Sequence, residues 1–114
     1  MPNKELMFRG RRLHYKIEGS GTPVVLIHGF AEDQNIWRHQ IEALSKKYQI
    51  ITPDIPGSGI SEALDNEVIN IEDFAEAIDK VIEAEKIDQF ILMGHSMGGY
   101  ISLAYLEMFP EKIK

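Results

Sequence analysis

Residues 94–98 read Gly-His-Ser-Met-Gly and stand between an apolar run at 90–93 and a helical pattern that continues to Phe109. A G-x-S-x-G pattern between a strand and a helix is typical of a nucleophile elbow, in which the serine occupies a sharp turn. Gly94 and Gly98 lack a Cβ, so the strand and the helix can approach closely. The pattern predicts that Ser96 presents its hydroxyl outward near the positive end of a helix. The alternative is a Gly-Ser-Gly loop that merely turns.

The composition is that of one small folded domain of 114 residues, with 44% hydrophobic and 26% charged residues. The formal net charge of −6 argues against nucleic acid or an anionic membrane surface as a partner, because both attract basic patches. No apolar run approaches the length of a membrane span, and residues 1–5 contain no apolar leader. The chain has no cysteine. We therefore expect a cytoplasmic protein without disulfide bonds.

Strands are predicted at 6–9, 12–18, 24–27, 49–52 and 90–93. In the second of these, apolar and polar residues alternate, which places His14 on a polar, solvated face. The run at 24–27 is apolar without alternation and indicates a strand buried on both faces, as in a parallel sheet.

Three helices are predicted between and after these strands. Asp33 or Asn35 can cap the first helix, and Asn70 with Asp73 resembles a capping box at the start of the second. Pro110 ends the third. The residues expected to pack these helices on the sheet recur at helical spacing; they are Trp37, Ile41, Leu44 and Tyr48, then Ile71, Phe74, Ile78, Val81 and Ile82, then Tyr100, Leu103, Ala104 and Leu106. The acidic residues of the second helix favour a solvated face over a metal site, because no histidine joins them; they are Glu72, Glu76, Asp79 and Glu83.

The predicted order β-β-β-α-β-α-β-α indicates an α/β fold, with an amino-terminal hairpin and a mostly parallel sheet covered by helices on both faces. Ligands of such sheets bind outside the carboxyl ends of the strands. Three loops rich in glycine and small polar residues are expected there: 28–30, 54–61 and the 94–98 turn. This is the arrangement that a site built by convergent loops requires.

Together these loops resemble the α/β-hydrolase superfamily. The segment His28-Gly29-Phe30 is similar to the oxyanion loop after the family's strand β3. Residues 54–61, Asp-Ile-Pro-Gly-Ser-Gly-Ile-Ser, are similar to the D-x-P-G-x-G-x-S loop after β4, and 94–99 match the elbow after β5. All 114 residues resemble the amino-terminal part of the fold, from the hairpin through the helix after the elbow.

The resemblance implies a role for each matching position. Ser96 would be the nucleophile, and the backbone amides of Met97 and Phe30 would form the oxyanion hole. Six residues would support the site without reacting; they are His28, Gly29, Asp54, Gly94, His95 and Gly98. The implied substrate is a small carboxylic ester or related acyl compound, with no cofactor and no metal. The serine argues against the dehalogenase and epoxide-hydrolase branches, which use aspartate at this position.

The sequence departs from the family pattern after the elbow. The superfamily order is Ser, then Asp or Glu, then His, but no Asp and no His follows Ser96. Glu107 lies eleven residues along the predicted helix, about 16 Å away, too far to serve an imidazole beside Ser96. We expect the chain to be the amino-terminal part of a longer hydrolase that is inactive by itself, with an open strand edge at 90–93 that favours self-association or a partner chain. The alternative is a non-catalytic binding or interaction protein that retains the scaffold.

Overall fold

The computed structural model describes residues 3–64 and 69–114. Met1 and Pro2, the first residues of the amino-terminal segment that was expected to contain no apolar leader, lie outside the described residues. Within the described part, five strands form one sheet; they are β1 (Asn3–Phe8), β2 (Arg11–Glu18), β3 (Thr22–Ile27), β4 (Tyr48–Pro53) and β5 (Ile91–Gly94). The helices are α1 (Arg38–Leu44), α2 (Ile71–Ala84) and α3 (Met97–Met108), with short 3-10 turns at Gln34–Trp37 and Pro110–Lys112.

The strands lie in the order β1-β2-β4-β3-β5. The hairpin β1–β2 and the pair β2–β4 are antiparallel, whereas β3 pairs in parallel with both β4 and β5. Val24 of β3 therefore lies opposite Ile50 on one side and Ile91 on the other. Since β3, β4 and β5 run in one direction, the loops that follow them leave the same edge of the sheet. The α/β fold with its parallel half is confirmed.

Helices cover both faces of the sheet, as predicted. Val25 and Ile27 of β3 belong to the larger apolar core, under α2 and α3. Val24 and Leu26 point to the opposite face and pack with Ile41 of α1. A strand covered on both faces needs apolar side chains at every position, which explains the continuous run at 24–27. No helix in the described ranges is long and apolar enough to cross a membrane.

The capping box of α2 is confirmed. The backbone N–H of Asn70 donates to Asp73 Oδ2 at 2.7 Å, and the Asn70 side chain accepts in return. The Asn70 N–H, and then the Arg9 guanidinium 2.7 Å away, lower the pKa of the Asp73 carboxyl below its ordinary value. The prediction that Asp79 lies on a solvated face is wrong, because its carboxylate is buried and accepts hydrogen bonds from Tyr105 and Lys112.

The predicted buried face of α3 is largely wrong. Tyr100, Leu103 and Leu106 are 68%, 64% and 44% exposed, whereas Ile101 and Tyr105 are fully buried. The helix carries apolar side chains on all of its faces, so the spacing of these residues does not distinguish the buried face from the exposed one. The face that packs on the sheet is set by the contact of Gly98 with β3, described below.

The first helix is shorter than the helical pattern predicted. The first helical pattern ends at Leu44, and Tyr48 is the first residue of β4. Asp33 caps the 3-10 turn that precedes α1, since its Oδ1 accepts from the Asn35 N–H at 2.8 Å.

The strand predicted at 90–93 lies at 91–94 and is the last strand in the order of the sheet. Phe90 is fully buried and forms a parallel bridge with Ile113, so the edge there is not exposed. The exposed apolar residue of this edge is Met93, at 48%.

Candidate active site

The turn between β5 and α3 has the geometry of a strained elbow. Ser96 has φ 57° and ψ −121°, in a region that a residue with a Cβ rarely adopts. It is exposed and lies immediately before the first residue of α3. Because the backbone reverses at this position, an exposed serine here can present its hydroxyl to solvent at the end of β5.

Two glycines allow this reversal. A Cβ on Gly94 would lie 2.2 Å from the carbonyl oxygen of Gly98, and a Cβ on Gly98 would lie 2.2 Å from the carbonyl oxygen of Ile27. Real Cβ atoms do not approach an oxygen so closely, so only glycine fits either position without a backbone shift. The first contact joins β5 to α3, and the second joins α3 to the end of β3.

Hydrogen bonds hold the elbow to its neighbouring strand. The His95 N–H donates to the Ile27 carbonyl at 3.0 Å, and the Gly98 and Gly99 N–H groups donate to His95 and Ser96 carbonyls at 2.9 and 2.8 Å. Within residues 3–64 and 69–114, no group accepts a hydrogen bond from the Met97 N–H. This amide therefore remains available to a bound anion or carbonyl oxygen at the amino-terminal end of α3.

The loop after β3 is anchored by His28, which is fully buried. The Ile55 N–H donates to His28 Nε2 at 3.0 Å, so this nitrogen is an acceptor. The proton is consequently on Nδ1, which lies 2.8 Å from the Gly29 carbonyl oxygen. Nε2 therefore joins this loop to the loop after β4, whereas Nδ1 bonds within its own loop.

The next residues of this loop meet the elbow. A Cβ on Gly29 would lie 2.9 Å from both the Ser96 Cβ and the His95 carbonyl oxygen. The Gly29 N–H donates to Glu32 Oε1 at 2.7 Å. The Phe30 side chain is 78% exposed, and none of the described residues accepts a hydrogen bond from the Phe30 N–H. The loop therefore brings a second amide without an acceptor to the Ser96 side of the sheet edge.

Asp54 holds the loop after β4, and sequence reasoning missed its main partner. Its carboxylate is buried and accepts from the Gln34 N–H at 2.9 Å and the Ile60 N–H at 3.2 Å. His14 Nδ1 lies 2.8 Å from Asp54 Oδ2. The prediction that His14 is solvated is wrong, because β2 lies between β1 and β4 and this ring, 2% exposed, points to the end of β4.

Sequence reasoning also missed Glu32. Its Oε1 lies 3.1 Å from His95 Nδ1, so one carboxylate oxygen contacts both the loop after β3 and the elbow. The Gly29 N–H, and then His95, lower the pKa of the Glu32 carboxyl. The only signal in the sequence is its position four residues after His28, which does not indicate the contact with His95.

Open space lies beside Ser96, in a shallow depression lined by Ser96, Gly99, Tyr100 and Leu103. Tyr100 and Leu103 supply its apolar wall. Among the residues that the structure describes, no three His, Asp or Glu side chains converge to form a metal site.

Comparisons with known proteins agree with this geometry. A family model described as alpha/beta hydrolase fold matches residues 22–114. The chain is 36% identical over 104 residues to (E)-2-((N-methylformamido)methylene)succinate hydrolase of Acinetobacter baylyi, covering 91% of this chain and 39% of that protein.

The fold of the chain is also similar to that of solved structures. Epoxide hydrolase VrEH1 of Vigna radiata superposes with a TM-score of 0.92 at 31% identity, covering 99% of this chain and 36% of that one. A thermophilic esterase of Thermogutta terrifontis gives 0.90 at 27% identity, covering 99% and 43%. The chain therefore spans about two fifths of the length of these proteins.

Proposed function

The chain belongs to the α/β-hydrolase family, and we propose that the protein is a serine hydrolase whose nucleophile is Ser96. The observation that carries the proposal is the backbone of Ser96, with φ 57° and ψ −121° between β5 and α3. Strain of this kind costs on the order of 1–3 kcal/mol and persists where the surrounding structure requires it. A loop that merely turned could place glycine here and avoid that cost.

In the proposed reaction, Ser96 Oγ attacks the carbonyl carbon of a small carboxylic ester. The carbonyl π electrons move to oxygen, and the Met97 and Phe30 N–H groups donate hydrogen bonds to the resulting oxyanion. Loss of one such donor typically raises the barrier by about 3–4 kcal/mol. Collapse of the intermediate breaks the bond to the alkoxy oxygen, which takes up the proton that a base removed from Ser96 and leaves as the alcohol. Water then attacks the acyl carbon of the acyl-enzyme, the carboxylic acid is released, and Ser96 is regenerated with its proton.

The hydroxyl of Ser96 needs a base to accept its proton. His28 does not suit this role, since both of its ring nitrogens are hydrogen-bonded. Nδ1 of His95 is engaged by Glu32, and none of the described histidines forms a hydrogen bond with the Ser96 hydroxyl. We propose that the base and its acidic partner belong to the part of the protein that corresponds to the remaining length of the relatives. This chain then contributes the nucleophile and the oxyanion hole, and we expect little or no turnover from it by itself.

The substrate is proposed as a class only. The similar proteins are named for different reactions: one is a succinate-derivative hydrolase, one an epoxide hydrolase and one an esterase. A serine nucleophile suits the esterase type, because an acyl-serine is readily hydrolysed. The apolar depression beside Ser96, lined in part by Tyr100 and Leu103, fits the acyl or alcohol group of a small ester.

A fluorophosphonate probe tests the proposal on the protein expressed from the complete gene. We expect one label per molecule, located at Ser96 by peptide mass spectrometry, and no label on Ser96→Ala. Ser45→Ala is the matched control, because Ser45 lies at the end of α1, away from the elbow. This variant should be labelled at Ser96 to the same extent as the wild type. A folded protein that takes no label would refute the serine-hydrolase assignment and favour the non-catalytic binding protein.

A further inference from the structure

We propose that Glu32 is a positioning residue that sets the oxyanion hole by linking its two halves. This inference rests on the proposed function, because it concerns the amides of Phe30 and Met97. These amides come from two separate loops, one after β3 and one after β5. Their separation must be held within about 0.5 Å for both to reach one oxygen atom. Glu32 has a side chain that contacts both loops.

The link consists of two hydrogen bonds to one atom. Glu32 Oε1 accepts from the Gly29 N–H at 2.7 Å and lies 3.1 Å from His95 Nδ1. Gly29 immediately precedes Phe30, and His95 lies two residues before Met97. A movement of either loop would therefore stretch one of these bonds. The Glu32 N–H also donates to the Gly29 carbonyl at 3.3 Å, which closes the turn around Phe30.

The same link decides which amide faces the substrate. The Gly29 N–H is occupied by Glu32, so it is not available to an oxyanion. Ala31 adopts a left-handed conformation with φ 62°, a strained choice for a residue with a Cβ. Glu32 thus holds a loop that reverses at Ala31 and leaves the Phe30 N–H without an acceptor among the described residues.

We expect the position of Glu32 Oε1 as a hydrogen-bond acceptor, more than the charge of the carboxylate, to hold the two loops of the oxyanion hole. A carboxylate close to a developing oxyanion is electrostatically unfavourable, so a negative charge there needs another reason to be present. Glutamine has the same length and retains Oε1 as an acceptor for both donors while removing the charge. Glu32→Gln should therefore preserve the oxyanion hole, whereas Glu32→Ala should not.

The test compares Glu32→Ala and Glu32→Gln in the protein from the complete gene, with Glu83→Ala as the control. Glu83 is an exposed glutamate of α2 whose partner is Lys80 at 3.4 Å, far from the elbow in sequence. We expect Glu32→Ala to lower kcat and the rate of fluorophosphonate labelling about ten- to a hundred-fold, at most the loss of one oxyanion donor. KM should change less than about three-fold, since the interaction acts in the transition state.

The kcat of Glu32→Gln should stay within about three-fold of the wild-type value, and the kcat of Glu83→Ala should equal the wild-type value. The fraction of labelled sites at completion measures the folded enzyme and corrects each kcat. If Glu32→Ala does not fold, His95→Ala breaks the other end of the link and should lower kcat with KM preserved.

The inference is overturned if Glu32→Ala keeps the wild-type kcat, or if Glu32→Gln is as slow as Glu32→Ala. A wild-type protein without label at Ser96 would instead refute the proposed function, and the inference with it. The two failures are therefore distinguishable.

Discussion

Adjacent glycines in α3 should respond to alanine in opposite directions. A Cβ on Gly98 would lie 2.2 Å from the Ile27 carbonyl oxygen and 2.7 Å from that of His28, both backbone atoms. A Cβ on Gly99 would have the Gly94 carbonyl oxygen 4.0 Å away as its nearest neighbour. Neither glycine has a positive φ, so the difference between the two sites is steric.

The expected magnitudes follow from these distances. Alanine at either position gains about 1 kcal/mol of helix propensity over glycine. At Gly98, the end of β3 and α3 must separate by roughly 1 Å, and overpacking of this kind costs about 1–3 kcal/mol. The His95 N–H to Ile27 hydrogen bond spans the same contact, and its loss costs about 1 kcal/mol more. Gly98→Ala should thus lower the free energy of unfolding by about 1–3 kcal/mol, and Gly99→Ala should raise it by about 0.5–1 kcal/mol.

Urea unfolding of both variants and the wild type measures the difference, with the slopes compared to confirm that the unfolded states match. The protein from the complete gene is used for all three. Equal shifts of the two variants, or a Gly98→Ala protein within about 0.5 kcal/mol of the wild type, would refute the steric argument.

Two further predictions concern the carboxylates that hold the loops and α2. Asp54→Ala should lower the free energy of unfolding by about 3–5 kcal/mol, because His14 and two backbone N–H groups lose a buried acceptor. Asp33→Ala, which removes only a cap, should lower it by about 1 kcal/mol. Equal losses of the two variants in urea unfolding would contradict this prediction. The lowered pKa of Asp73 gives a stability that is present above the ordinary value of 3.8 and lost as pH falls through the lower folded value. The stability advantage of the wild type over Asp73→Asn should therefore be constant well above pH 3.8 and shrink as the pH falls below it, and a difference that does not change with pH would exclude the carboxylate as its source.

Much of the fold could be predicted because it follows from local rules. The continuous apolar run at 24–27 indicated the doubly covered strand β3, and Asn70 with Asp73 marked the start of α2. The pattern at 94–98 predicted a tight strand-to-helix reversal, and Ser96 has the backbone angles of one. In each case the signal itself lies within a few neighbouring positions of the chain.

The errors share a different cause. His14 alternates correctly with apolar neighbours, yet it is buried because β2 lies between β1 and β4 and because Asp54 stands at the end of β4. The buried face of α3 was misassigned because apolar residues surround the helix. Glu32 was missed since its partner, His95, is 63 residues away.

By itself, the sequence determined the types and order of the elements, the elbow and the identity of its nucleophile candidate. These depend on backbone conformations and periodicities that short stretches specify through glycine, proline and apolar spacing. Only the tertiary structure decided which buried polar groups pair, which face of α3 packs, and how Glu32 joins the loops at Ser96. A buried polar group needs a partner, and the partner of His14 is Asp54, which follows a distant strand. The contact of Glu32 with His95 likewise joins two loops that the fold alone brings within hydrogen-bonding distance.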